Sequence, residues 1–206
     1  MNNAAGAAET TAAAFVAARR ERRALAAFPG TFPENLEEAY AILCREIELW
    51  PDRLAGWKIG RLSPDLAAHH GFDRFIGPIF ARNIEPARKA GPAPFPMIPG
   101  GFAAFEAEIA VTLIADADPA RIQWSLADAD ALIGEMRIAV EVAGSSLTTI
   151  NQLGSLANIA GFGNNVGLIL GDAVKAWRDM PDHRLSCRSI IDGMEIGQGR
   201  AADLPG

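Results

Sequence analysis

Three carboxylates stand where a strand-forming sequence would not ordinarily place them. Glu106 and Glu108 are two positions apart in Phe105-Glu106-Ala107-Glu108-Ile109-Ala110-Val111. Side chains at i and i+2 of a strand share a face, so the two carboxylates lie side by side. Like charges at that spacing repel and raise the pKa of at least one; a divalent cation removes the penalty. Glu141 is the only charge in Ile138-Ala139-Val140-Glu141-Val142-Ala143. A charge in an apolar strand has to be paired, hydrogen-bonded or metal-bound. Three carboxylates without a histidine or thiolate nearby in sequence suit a hard cation with oxygen ligands, Mg²⁺ first and Mn²⁺ second. Magnesium usually keeps positions for water or substrate oxygens, so an open site is expected. The plainer alternative is a solvated Glu-x-Glu face, with Glu141 paired to an arginine.

Lys58 sits in Gly56-Trp57-Lys58-Ile59-Gly60, a short apolar run between glycines. A partly buried lysine can lower its pKa and move protons; the alternative is a surface strand lysine. His69 and His70 close a short helix, where the helix dipole alone favours them, and they too are acid/base candidates. Gly161-Phe162-Gly163-Asn164-Asn165 is glycine-rich but precedes a strand, unlike a phosphate-binding loop. It reads as a turn that could offer backbone amides to a ligand. Cys44 and Cys187 have no recognisable catalytic partner and read as structural.

The elements around these residues change character along the chain. Residues 1–9 are small and polar and read as frayed. Thr11 to Phe28 has good helix propensity and ends at Pro29-Gly30. A second helix, capped at Thr31 and starting near Pro33, carries Leu36, Tyr40, Leu43 and Ile47 as one apolar stripe. Short strands and helices follow. Ser63-Pro64 opens a helix that Gly71 ends. The proline-rich stretch from Phe72 to Pro99 suits loops and edge strands. Phe102–Ala115, Arg137–Gly144 and Val166–Leu170 read as strands, the last closed by Gly171-Asp172. Ser125–Ile133 and Leu153–Ile159 read as helices, and Leu185–Gln198 as a hairpin turning at Asp192-Gly193. This order gives an α+β class, with helices first and a mainly antiparallel or mixed sheet after them.

Composition narrows the function classes. The 206 residues carry 19 basic and 25 acidic side chains, a net charge of −6, which argues against a general nucleic-acid binder. No apolar run approaches the roughly 20 residues of a membrane span. The N-terminal arginines follow the alanine-rich stretch, the wrong order for a signal peptide. Two cysteines do not make a disulfide framework. A cytoplasmic protein is expected.

The segments Gly56–Gly60, Phe105–Ala110 and Val140-Glu141-Val142-Ala143-Gly144-Ser145, in this order and spacing, resemble the 2-keto-4-pentenoate hydratase branch of the fumarylacetoacetate hydrolase superfamily. Glu37-Glu38-Ala39-Tyr40 and Gly77-Pro78-Ile79-Phe80 are similar to that branch as well. The resemblance runs from Glu34 to the C-terminus. It implies a helical N-terminal segment, residues 1–52, and a rolled mixed β-sheet over 53–206, together one folding unit. It implies a divalent metal, Mg²⁺ or Mn²⁺, held by Glu106, Glu108 and Glu141. It further implies a small-molecule substrate whose 2-keto or 2-enol carboxylate chelates that metal, proton transfer by Lys58, and a homo-oligomer. The expected reaction is hydration of a 2-hydroxy-2,4-dienoate to a 4-hydroxy-2-keto acid, with His70 and Asp73 as further acid/base candidates. A 4-oxalocrotonate-type decarboxylase, an acylpyruvate-type hydrolase, and a non-catalytic paralogue or assembly partner are the alternatives.

The chain departs from the hydratase pattern at three places. Arg74-Phe75-Ile76-Gly77 stands where hydratases carry a Pro-Asp-Phe-Gly-like stretch, so the acidic residue there is missing, although Asp73 is near. Ser146 follows Gly144-Ser145 where an arginine is usual. Gly161-Phe162-Gly163-Asn164 replaces a run with Ala-Asp-Asn. Relatives continue past the region matching Gly197 to Gly206 with a helix and further strands. A sheet without those strands is expected to expose an open edge and apolar surface.

Overall fold

A computed structural model describes the chain apart from residues 1, 89, 182–183 and 204–206, with backbone only for residues 2–4 and 203. The segment Leu204-Pro205-Gly206 lies outside the described residues. The architecture is α+β: α1 (Asn2–Arg20) and α2 (Leu36–Leu49) precede β1 (Leu54–Arg61), α3 (Pro64–His70), β2 (Arg74–Phe80) and β3 (Ile84–Pro86). There follow β4 (Phe102–Leu113), α4 (Leu126–Leu132), β5 (Ile133–Ser145), α5 (Ile150–Leu153), α6 (Ser155–Ala160), β6 (Asn165–Ala173), β7 (Ser186–Ile191) and β8 (Met194–Arg200). The strands form two antiparallel pairs, β1–β2 and β7–β8, and a four-stranded sheet ordered β3-β6-β5-β4. Short, proline-ended β3 takes an edge, where a missing donor costs least.

The chain divides into two compact units. The first comprises residues 1–106 and 141–169. Its core packs Ala12 of α1 against Leu36, Ala39, Ile42 and Leu43 of α2, with Leu62, Phe75 and Ile159. A second cluster gathers Phe15, Val16, Phe80, Leu147, Ile150, Ala157 and Phe162. The expected stripe of α2 is present, with Leu36 and Leu43 buried and Tyr40 and Ile47 packed beside them. The second unit comprises residues 107–140 and 170–206. Within it α4 begins with the capping box that Ser125 and Asp128 predict. The β7–β8 hairpin turns at Asp192-Gly193, both with positive φ (49° and 80°), the combination a two-residue type I′ turn requires. Ile190, Ile191, Met194 and Ile196 of that hairpin are exposed.

Several boundaries differ from expectation, each for a physical reason. Helix α1 starts at Asn2, within the stretch expected to fray, and stops at Arg20, well before Phe28. Arg22 takes a left-handed φ of 51°, and beyond it Leu25 donates its N–H to the Ser146 carbonyl at 2.7 Å. A tertiary pairing has overridden helix propensity there. The N-cap of α2 is Asn35, not Thr31. Asn35 Oδ1 accepts the Glu38 N–H at 3.0 Å, and the Glu38 carboxylate reaches back to the Glu34 N–H at 2.9 Å. Ser63 occupies the expected N-cap of α3 without a side-chain capping bond; its N–H donates instead to Ser155 Oγ at 2.7 Å. Gly154, with φ 84°, splits the single helix expected over Leu153–Ile159 into α5 and α6. Strand β6 runs through Gly171 to Ala173, because a side chain at Gly171 would meet the Ile138 carbonyl at 2.9 Å and glycine has none.

The stripe of α2 also buries Glu46 completely. Its Oε2 accepts the Phe162 N–H at 2.9 Å, while Oε1 has no hydrogen-bond partner among the described residues. Burial pushes its carboxyl well above the usual range, against the opposing effects of the Phe162 N–H and the Arg19 guanidinium. The native state therefore holds this proton more tightly than the unfolded chain does. Such a group stabilises the fold fully at low pH and loses that contribution as pH rises through its native pKa. Urea unfolding midpoints measured from about pH 4 to 8 are expected to fall less with rising pH in Glu46→Gln than in the unaltered chain.

Candidate metal centre

Strand β4 carries Glu106 and Glu108, and β5, its neighbour in the sheet, carries Glu141. Each of the three offers a carboxylate oxygen, and these oxygens all lie within 4.8 Å of one another. Three carboxylate oxygens this close could close on one cation at the roughly 2.1 Å metal–oxygen distance of magnesium with small side-chain shifts. Glu106 is exposed and Glu108 partly so, whereas Glu141 is only 4 % exposed. Hard, anionic oxygen donors with solvent on one side fit a cation that retains water or substrate oxygens.

The partner of Glu141 within the protein is Lys58, not an arginine. Lys58 Nζ is 3.4 Å from Glu141 Oε1. The same oxygen accepts a hydrogen bond from Asn165 Nδ2 at 2.9 Å. Burial raises the Glu141 carboxyl above the usual range, opposed by the Lys58 ammonium and the Asn165 amide and reinforced by the nearby Glu106 charge.

Strand β1 presents Lys58 in an inverted pattern. Trp57 and Ile59 face outward, 45 % and 67 % exposed, while Lys58 turns inward with an 11 % exposed side chain. It is therefore not a surface strand lysine. Its ammonium lies 5.3 Å from the centre of the Phe75 ring, a favourable cation–π placement. Gly77, its cross-strand partner, makes the space. A Cβ there would fall 2.6 Å from Gly163 Cα and 3.1 Å from Lys58 Cγ. Gly163 in turn has φ 65°, a region that favours glycine. Gly77→Ala is expected to destabilise by about 1–3 kcal/mol, as overpacking does, and to displace the Lys58 stem. Urea denaturation reads the loss.

The other acid/base candidates lie apart from these contacts. His70 is exposed, with its ring 4.8 Å from that of His69 and 5.6 Å from that of Phe72. The Asp73 carboxylate pairs with Arg74. Cys44 is exposed and Cys187 half-buried, and both are free thiols. The glycine-rich turn contributes differently from expectation. It supplies the side chain of Asn165 to Glu141, and Phe162, Gly163 and Asn164 all take positive φ. Nothing in the residue pattern singled out Asn165; the one available signal was a second buried-type asparagine at the start of an apolar strand.

No family model matches the chain, and no curated protein matches it by sequence. Solved structures do. The 4-oxalocrotonate decarboxylase from Pseudomonas putida G7, complexed with magnesium and adipate, is similar with a TM-score of 0.65 at 19 % identity, over 95 % of this chain and 73 % of that one. The same enzyme complexed with calcium and acetate gives 0.65 and 19 %, over 96 % and 74 %. At that identity the likeness establishes a shared fold. Among the described residues no helix is long and apolar enough to cross a membrane.

Proposed function

We propose that this chain is a divalent-metal-dependent enzyme of the fumarylacetoacetate hydrolase superfamily that acts on a small 2-keto or 2-enol carboxylate. The observation that carries this reading is the convergence of Glu106, Glu108 and Glu141, with Lys58 3.4 Å from the buried member. Mg²⁺ held there supplies Lewis acidity and a chelation point for the keto and carboxylate oxygens of the substrate.

The remaining work falls to the protein's own groups. Glu106 and Glu108 leave one side of the cluster open to solvent and so to substrate. Glu141 anchors the Lys58 ammonium at the buried side of the cluster. In the reaction we favour, hydration of a 2-hydroxy-2,4-dienoate, the enol O–H gives up its proton and a diene carbon gains one. Lys58 Nζ would move that proton, a role supported by its position 3.4 Å from Glu141. Water then adds across the conjugated double bond, giving a 4-hydroxy-2-keto acid. Asp73 and His70 are assigned at most supporting roles, since Asp73 is engaged by Arg74 and His70 by its aromatic neighbours.

Decarboxylation is the second reading, favoured by the fold shared with 4-oxalocrotonate decarboxylase, which binds magnesium and the dicarboxylate adipate in its solved structure. One assay separates the two. The chain is incubated with Mg²⁺ and either 2-hydroxypenta-2,4-dienoate or 4-oxalocrotonate, with and without chelator. Product mass is then read: hydration adds water, and decarboxylation removes carbon dioxide. Metal-dependent loss of the dienoate chromophore with a gain of water supports hydration. No consumption of either compound at any Mg²⁺ or Mn²⁺ concentration sinks both the hydratase and the decarboxylase readings.

A further inference from the structure

Asn165 is 1 % exposed, and its side chain makes one hydrogen bond among the described residues, from Nδ2 to Glu141 Oε1. Its Oδ1 is buried without a partner among those residues. The amide cannot be turned round to mend this, because two oxygens would then face each other across 2.9 Å. A buried acceptor left unsatisfied costs stability, so the side chain is placed for Glu141 at the expense of its own other end.

The backbone beneath it is held with equal care. Arg19, from the end of α1, donates from Nη1 to the Asn165 carbonyl at 2.9 Å and from Nη2 to the Val166 carbonyl at 3.3 Å. Asn83 Nδ2 donates to that same Val166 carbonyl at 2.7 Å. The guanidinium itself is fixed by aromatic faces, 4.4 Å from the Phe162 ring centre and 4.9 Å from that of Trp50. A continuous set of contacts thus runs from the first helix to the buried carboxylate.

We propose that Asn165 is a positioning residue of the metal centre: its amide fixes the rotation of the Glu141 carboxylate about its terminal bond, and Arg19 holds the backbone from which it does so. The inference rests on the metal-centre reading above. Partners that orient a metal ligand typically contribute 10- to 100-fold to metal affinity.

The test is Mn²⁺ binding to the full chain, read as the loss of the free-ion paramagnetic resonance signal. Asn165→Leu preserves volume and removes the donor; about a 10- to 100-fold weaker affinity is expected, with thermal unfolding still cooperative and the spectrum of the bound ion altered. Asn165→Ser, whose hydroxyl is too short to reach Oε1, serves if the leucine variant does not fold, and the same loss is expected. A folded variant that binds Mn²⁺ as tightly as the unaltered chain, while Glu108→Gln does not, overturns the positioning role and leaves the metal centre standing. Failure of the unaltered chain to bind Mn²⁺, or undiminished binding by Glu108→Gln, overturns both.

Discussion

Glu108→Gln is expected to weaken Mg²⁺ binding by at least about 100-fold and to abolish metal-dependent turnover. Removing one of three anionic ligands costs both a bond and a charge, and a neutral amide oxygen is a poor substitute for a hard cation. Titration calorimetry with Mg²⁺ reads the loss of affinity. Unchanged calorimetric binding means that these carboxylates do not form a metal centre. Glu141→Gln differs in one respect: it deprives Lys58, 11 % exposed, of its counter-charge, so the metal-free protein is expected to lose stability as well.

Lys58→Met should separate chemistry from binding. Loss of a positioned proton-transfer group lowers the turnover number by about 10²- to 10⁴-fold, whereas the three carboxylates remain to hold the cation. The Glu141 carboxyl, already raised by burial, then loses the neighbouring charge that opposes the shift and moves higher still. Proton competition at that ligand consequently extends to higher pH, and Mg²⁺ affinity should begin to fall at a higher pH than in the unaltered chain. Lys58→Arg is not expected to restore turnover, since the guanidinium does not release its proton in this range. Turnover within a few-fold of the unaltered rate in Lys58→Met, under saturating metal and substrate, removes Lys58 from the mechanism.

The carboxylate cluster was legible because strand alternation is a strict rule. Two glutamates at i and i+2 have to share a face, and a third in an apolar run has to find a partner. Element types followed equally well from local chemistry, as at Ser125 with Asp128 and at Asp192-Gly193. What local chemistry did not disclose were outcomes decided by distant residues. The end of α1 is set by Leu25 meeting Ser146, 121 residues away by subtraction of their numbers. The partner of Glu141 proved to be Lys58, on a strand where Trp57 and Ile59 face out and Lys58 faces in. The role of Asn165 depends on a carboxylate 24 positions earlier. Propensity and periodicity carry no information on such pairings, because each side chain is ordinary in its own segment.

The reach of Arg19 has a kinetic consequence. Its carbonyl acceptors lie 146 and 147 residues further along the chain, whereas α1 and α2 pack on each other within the first 49 positions. Contacts of long sequence separation bear a larger loop-closure cost and generally form late. The helical hairpin can therefore assemble early, while the backbone at Asn165, and with it the orientation of Glu141, is secured only near the end of folding. Interactions absent from the transition state act on the unfolding rate rather than the folding rate. In stopped-flow experiments Mg²⁺ should slow unfolding and leave the refolding limb almost unmoved, so that cation binding acts as a latch on a structure already formed and not as its nucleus.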